Sequence, residues 1–145
     1  MREILFRGKA INRNRGYHKT KYKNGDWVYG LVTRLYDEQF ENLPAEMTNT
    51  DGVSGIEIDY KSISEFTGLT DKNGKNIFEG DILKYKNFIS KYNIGYVVYG
   101  KGCFSVKDIH SDNRPAIDIV LHESKNDIEI IGNIHDNPEL LKGEQ

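Results

Sequence analysis

Apolar and polar positions in this chain alternate over short runs, and the runs are separated by turn-forming pairs. Stretches rich in β-branched and aromatic residues lie at Ile4–Lys9, Trp27–Tyr36, Gly55–Asp59, Asp81–Phe88, Ile94–Tyr99, Cys103–Lys107, Ile117–Leu121 and Ile128–Ile131. Runs of this length, bounded by turn signals, predict strands of a mainly β fold, at most a β-rich α+β one. Lys23-Asn24-Gly25-Asp26 and Lys72-Asn73-Gly74-Lys75 each hold Asn-Gly, the pair that tolerates the positive φ angles of a tight hairpin. Thr50-Asp51-Gly52 and Tyr99-Gly100-Lys101-Gly102 read the same way. In Trp27–Leu35 one face collects Trp27, Tyr29, Leu31, Thr33 and Leu35, and the other Val28, Gly30, Val32 and Arg34. Both faces are largely apolar, which predicts a central strand. Helix is expected only as one or two turns at Ser62–Phe66 and at Pro138–Leu141, the second with Asn137 as N-cap and Pro138 at its first position.

From Thr67 onward the pattern is that of a small barrel. Gly74 turns the chain, Ile77 and Phe78 are core candidates, and Gly80-Asp81 re-enters a strand. A glycine there allows a sharp bend, and the following aspartate accepts hydrogen bonds from the amides of that bend. Short strands then meander from Asp81 to Ile131, and this arrangement predicts a barrel of the Src-homology-three type that closes to hide its edges. The expected organisation is a single domain over 1–145, with a β-rich part at 1–66 and a barrel-like part at 67–141.

Composition changes this picture little. A chain of 145 residues suits one domain. Its 37% hydrophobic content is low, but nine Tyr and six Phe bury large areas while keeping a polar edge, so a modest core is expected. The lone cysteine, Cys103, excludes an intrachain disulfide and fits a reducing cytoplasm. No segment nears the roughly 18 apolar residues of a membrane span, and Met1–Arg7 holds too short an apolar stretch for a signal peptide. A cytoplasmic protein with no membrane partner is the expectation.

Charge is unevenly spread. Up to Asn24 there are eight basic residues (Arg2, Arg7, Lys9, Arg13, Arg15, Lys19, Lys21 and Lys23) against Glu3, a segment charge of +7 that leaves −9 for the rest of a chain of net charge −2. Such asymmetry suggests nucleic-acid binding. Packing of the basic arm on an acidic body, its own or a neighbour's, is preferred, because that body repels a phosphate backbone.

Candidate chemistry is sparse. His18, His110, His122 and His135 show no metal-ligand spacing, so neither metal nor cofactor is expected. Glu79 and Asp81 stand two apart, as paired acids on one strand face do, but they flank a bend in which Asp81 has a structural task. Arg7 and Lys9 interleave with Phe6, Trp27 and Tyr29. That pattern serves either phosphates and bases or the covering of rings by cationic side chains, and packing is the preferred reading. Gly100-Lys101-Gly102 lacks a phosphate loop's sequence and is read as a hairpin turn. Cys103 has no histidine nearby in sequence and is read as structural.

Five blocks in order resemble the YopX family of phage and prophage proteins. They are Phe6-Arg7-Gly8-Lys9, Gly25-Asp26-Trp27-Val28-Tyr29-Gly30, Thr67 through Lys75, Ile77-Phe78-Glu79-Gly80-Asp81-Ile82, and Ile130-Ile131-Gly132-Asn133-Ile134 through Asn137-Pro138-Glu139-Leu140-Leu141. The resemblance implies a phage or prophage accessory protein with a β-rich fold that forms homo-oligomers, and it brings no catalytic residue. The leading functional expectation is a non-enzymatic, self-assembling module that binds another phage or host protein. The alternative is nucleic-acid binding through Arg7, Lys9, Arg13, Arg15, Lys19, Lys21 and Lys23. Gly74, Gly80 and Asp81 are expected to be structural turn residues.

Overall fold

The computed structural model describes residues 3–12, 21–35, 44–86, 90–109 and 127–142. Within them lie ten strands: β1 (Phe6–Lys9), β2 (Trp27–Arg34), β3 (Ala45–Asn49), β4 (Ile56–Ile58), β5 (Ser64–Thr70), β6 (Asn76–Phe78), β7 (Asp81–Lys86), β8 (Tyr92–Gly100), β9 (Cys103–Asp108) and β10 (Glu129–Asn133). Single 3-10 turns at Tyr60–Ser62 and Pro138–Lys142 are the helical elements among the described residues. The mainly β class is therefore observed. The predicted strand at Ile117–Leu121 lies outside the described residues. Two compact units are present, Met1–Glu65 and Phe66–Gln145.

In the first unit the strands run β4-β3-β2-β1, all antiparallel, and Ser64 and Glu65 at the start of β5 pair with Arg7 and Phe6 on the other side of β1. The predicted central position of Trp27–Leu35 holds, since β2 is flanked by β1 and β3. Only one of its faces is covered: Val28 and Gly30 are buried, whereas Tyr29 and Leu31 are exposed. The sheet curls until Ala10 meets Ile58 in an isolated antiparallel bridge, with Ile11 N–H donating to Glu57 O and Asp59 N–H to Lys9 O, both at 2.9 Å. Inside the curl sit Ala10, Val28, Ala45, Met47, Ile56 and Ile58, packed with Phe6, Tyr22, Val32 and Ile63. Each fully buried aliphatic side chain of that size contributes about 1.5–3 kcal/mol relative to exposure.

Three strands, β3, β5 and β6, escape the sequence pattern. Ala45-Glu46-Met47-Thr48-Asn49 contains poor β-formers, yet alternates buried and half-buried once β2 and β4 flank it. The helical turn expected over Ser62–Phe66 is also wrong, because Ser64 already begins β5. Ser62 Oγ accepts the Lys9 N–H at 2.7 Å and donates to Asp59 O at 2.7 Å, so the segment is set by its partner strand.

In the second unit β5 turns into β6 with a register shift between Phe66 and Thr70. Thr67 Oγ1 donates to Ile77 O at 2.8 Å across that irregularity. A four-stranded antiparallel sheet follows in the order β10-β7-β8-β9. Its inner face gathers Leu83, Tyr85, Val97, Val106, Ile77 and Ile128, with Leu69, Phe104 and Ile130 against them.

The closed Src-homology-three-like barrel is not found among the described residues. Closure requires edge strands to exchange ladder bonds, but β9 and β10 are opposite edges of an open sheet. The β5–β6 hairpin reaches β10 instead through Lys72 N–H to Ile128 O at 2.9 Å and Ile130 N–H to the Asp71 carboxylate at 3.1 Å. At the Gly-Asp entry, Gly80 (φ +81) donates its N–H to Val97 O at 2.8 Å, and Asp81 Oδ2 accepts the Phe78 N–H at 2.8 Å. Gly74 turns the β5–β6 hairpin at φ +77. The Asn137 side chain accepts from Asn133 N–H, at 3.3 Å, rather than from the turn that follows it.

At Gly30 a methyl group would overlap the Thr48 carbonyl oxygen and lie 2.8 Å from Asn49 Cα. Gly30→Ala is expected to cost at least about 1–3 kcal/mol in urea denaturation. Gly100→Ala, at a position with open space around it, is expected to be near neutral.

Candidate functional site

The basic arm is the site the charge pattern singles out, and pairing decides where its members go. Register sets Lys9 opposite Trp27 and Arg7 opposite Tyr29. Arg7 Cζ lies 4.4 Å and Lys9 Nζ 4.6 Å from the centroid of the Trp27 ring. Arg7 is only 6% exposed, and Lys9 Nζ also donates to Gly25 O at 3.1 Å. A cation over an indole contributes about 0.5–1 kcal/mol when exposed and about 2 when desolvated, so this contact holds both side chains to the sheet.

The other described arm cations lie elsewhere. Lys21 Nζ is 3.4 Å from the Asp51 carboxylate, with both side chains exposed, and 5.5 Å from the Tyr22 ring. Lys23 sits in the turn before Gly25, its N–H donating to Asp26 Oδ2 at 2.9 Å. Asn49 Nδ2 donates to Tyr22 Oη at 3.0 Å. Arg13, Arg15 and Lys19 lie outside the described residues. The described arm residues are thus distributed over the Trp27 ring, Asp51 and the Gly25 turn.

The acids of the second unit hold backbone. Asp71 is buried, and its Oδ1 accepts the N–H groups of Asn73 (2.8 Å) and Lys75 (3.0 Å) while its Oδ2 accepts that of Ile130. Burial pushes its carboxyl up. The hydrogen bonds from Ile130, Lys75 and Asn73 and the nearby Lys75 charge outweigh that and hold it below its ordinary 3.8. Asp81 is 1% exposed and belongs to the Phe78 turn. Tyr85 Oη and Asn93 Nδ2 both donate to Asp108 Oδ2 at 2.9 Å. Burial first, and the Asp108 carboxylate second, raise the Tyr85 phenol well above its ordinary 10.0.

Among the described residues no group of three or more His, Cys, Asp and Glu is placed to hold a metal ion. His135 is exposed, its N–H donating to Asn133 Oδ1 at 3.0 Å. His18, His110 and His122 lie outside the described residues. Cys103 is exposed, with its Sγ 3.6 Å from Gly100 O at the β8–β9 turn.

Two groups escaped the sequence reading. Asp71 stands three residues before the Asn-Gly glycine, where an aspartate closes an Asx turn, and that spacing was the available signal. The clustering of Lys84 and Lys86 around Tyr92, at 4.9 Å and 5.3 Å from its ring centroid, required the β7–β8 register.

A family model described as YopX protein matches residues 13–142. The crystal structure of protein EF1440 from Enterococcus faecalis is similar at a TM-score of 0.51 and 26% sequence identity, covering 96% of this chain and 98% of that one. No curated protein matches the chain.

Removing the Asp71 carboxylate leaves three N–H groups without their acceptor, so Asp71→Ala is expected to cost about 1–3 kcal/mol in urea denaturation. The lowered pKa makes the contribution of the carboxylate full above 3.8 and lost as pH falls through the folded-state value below it. Asp71→Asn, which does not titrate, is therefore expected to differ less from the wild type in acid than at neutral pH.

Proposed function

The chain belongs to the YopX family, and we propose that within it the protein is a non-enzymatic accessory module of a phage or prophage that self-assembles and binds other proteins. The observation that carries this reading is an uncovered apolar stripe on the first unit. Tyr29 and Leu31 are 41% and 52% exposed on one side of β2, and the β-bulge between Val32 and Arg34 brings Arg34 to the same side. Large apolar side chains gathered on one face, instead of scattered singly, mark an interaction surface.

A second copy of the chain is the occupant that suits the stripe. Arg34 and Glu46 stand opposite each other in the β2–β3 register, with Nη1 and Oε1 3.7 Å apart. Opposite charges side by side next to an apolar stripe form a self-complementary patch. A two-fold contact then places the Arg34 of one copy near the Glu46 of the other over the joined stripes. The engagement of Arg7 and Lys9 with Trp27 weighs against the arm as a phosphate-binding site.

Light scattering at micromolar concentration and physiological salt is expected to report an oligomer. Leu31→Asp, at an exposed position, is expected to weaken self-association about 10-fold or more while leaving the melting curve in place. A wild-type protein that is monomeric under those conditions, or an assembly that Leu31→Asp leaves intact, overturns the reading.

A further inference from the structure

The outer face of the second unit's sheet has a different chemistry from the stripe on β2. Register places Lys86 opposite Tyr92, Lys84 opposite Ile94 and Tyr96 opposite Lys107, so these six side chains share the face turned away from Leu83, Tyr85, Val97 and Val106. Lys84, Tyr92 and Lys107 are exposed, and Lys86, Ile94 and Tyr96 are half-buried. Tyr92 is 53% exposed, with Lys84 Nζ 4.9 Å and Lys86 Nζ 5.3 Å from its ring centroid. Tyr96 lies four residues along the same strand, about 13 Å away at strand rise.

Two acids border this face. Glu129 holds Lys72 at 3.0 Å, and Asp127 holds Lys86 at 3.4 Å. Both are pairs between exposed or half-exposed side chains, contributing only about 0–1 kcal/mol, so a phosphate competes with them readily. Cations held over an exposed ring contribute a similarly small amount. An incoming base that stacks on Tyr92 releases both ammonium groups toward the adjoining phosphates.

We propose that the Lys84, Lys86, Lys107, Tyr92 and Tyr96 face of this sheet binds single-stranded nucleic acid, with Tyr92 and Tyr96 as stacking platforms and the lysines on the phosphates. The alternation of rings and cations across three adjacent strands matches the alternation of bases and phosphates along an unpaired strand. A duplex keeps its bases stacked on one another and gives the rings nothing to stack on, and an acidic peptide needs the lysines alone. This surface is distinct from the proposed assembly stripe and from the basic arm, so it stands or falls without them.

The test is fluorescence anisotropy of the full chain with labelled oligothymidylate of about 15 nucleotides, a length that covers a sheet-face site. Saturable binding is expected at about 50 mM salt, weakening on a log–log slope near −2, as for three phosphate contacts at about −0.7 each. Tyr92→Ala is expected to weaken it about 5- to 100-fold, and Tyr92→Trp to retain it. Lys84→Gln with Lys107→Gln is expected to flatten the salt slope to about −0.7. Tyr92→Leu provides a second ring-removing variant should Tyr92→Ala lower the melting temperature. Absence of saturable binding overturns the proposal, as does binding that Arg13→Ala with Arg15→Ala abolishes while the Tyr92 variants leave it intact. So does binding that polyglutamate displaces and that is indifferent to the ring at position 92, which assigns the face to an acidic protein partner instead.

Discussion

Short strands leave many backbone N–H groups at their ends that no ladder satisfies, and a buried N–H without an acceptor costs about 1–3 kcal/mol. In this protein many of the acceptors are the short side chains of aspartate and asparagine. Asn49 takes the amides of Asp51 and Val53, Asp59 that of Lys61, Asp71 those of Asn73, Lys75 and Ile130, and Asp81 that of Phe78. All of these bonds but that from Ile130 close a turn. Asp71 also ties its hairpin to β10, a strand far along the chain. The placement of strands in both units depends on these acceptors, which accounts for two buried carboxylates that carry no visible chemistry.

Once the turns are fixed, pleating assigns the side chains. The first sheet buries Val28, Met47, Ile56 and Ile58 on one face and leaves Tyr29 and Leu31 on the other. The second buries Leu83, Tyr85, Val97 and Val106 and turns Lys84, Tyr92 and Lys107 outward. The two outward faces differ in kind, one apolar beside an Arg–Glu pair and the other basic and aromatic.

Much of the strand pattern was legible. The alternation around Trp27 located β2 and its central position, and the Gly80-Asp81 bend was readable from the two residues alone. The arm was legible as charge but not as a site. Arg7 and Lys9 admit two readings in one dimension, phosphate ligands or cover for aromatic rings, of which packing is preferred, and the pairing of β1 with β2 lays them on Trp27. Barrel closure was over-read, because the sequence marks where strands begin and end but not which edges meet. The strand at Ala45–Asn49 was missed because its residues have little β preference of their own and gain it from β2 and β4.

Local chemistry therefore settled in the sequence what each short segment does: where Asn-Gly and Gly-Asp turn the chain, where alternation makes a strand, and which family the ordered blocks resemble. Tertiary structure decided which of two apolar faces is covered, which carboxylates sit inside, and which lysines gather around Tyr92. These depend on register and strand order, and both are set by pairing partners distant in sequence. A one-residue slip in any pair sends every side chain of that strand to the opposite face.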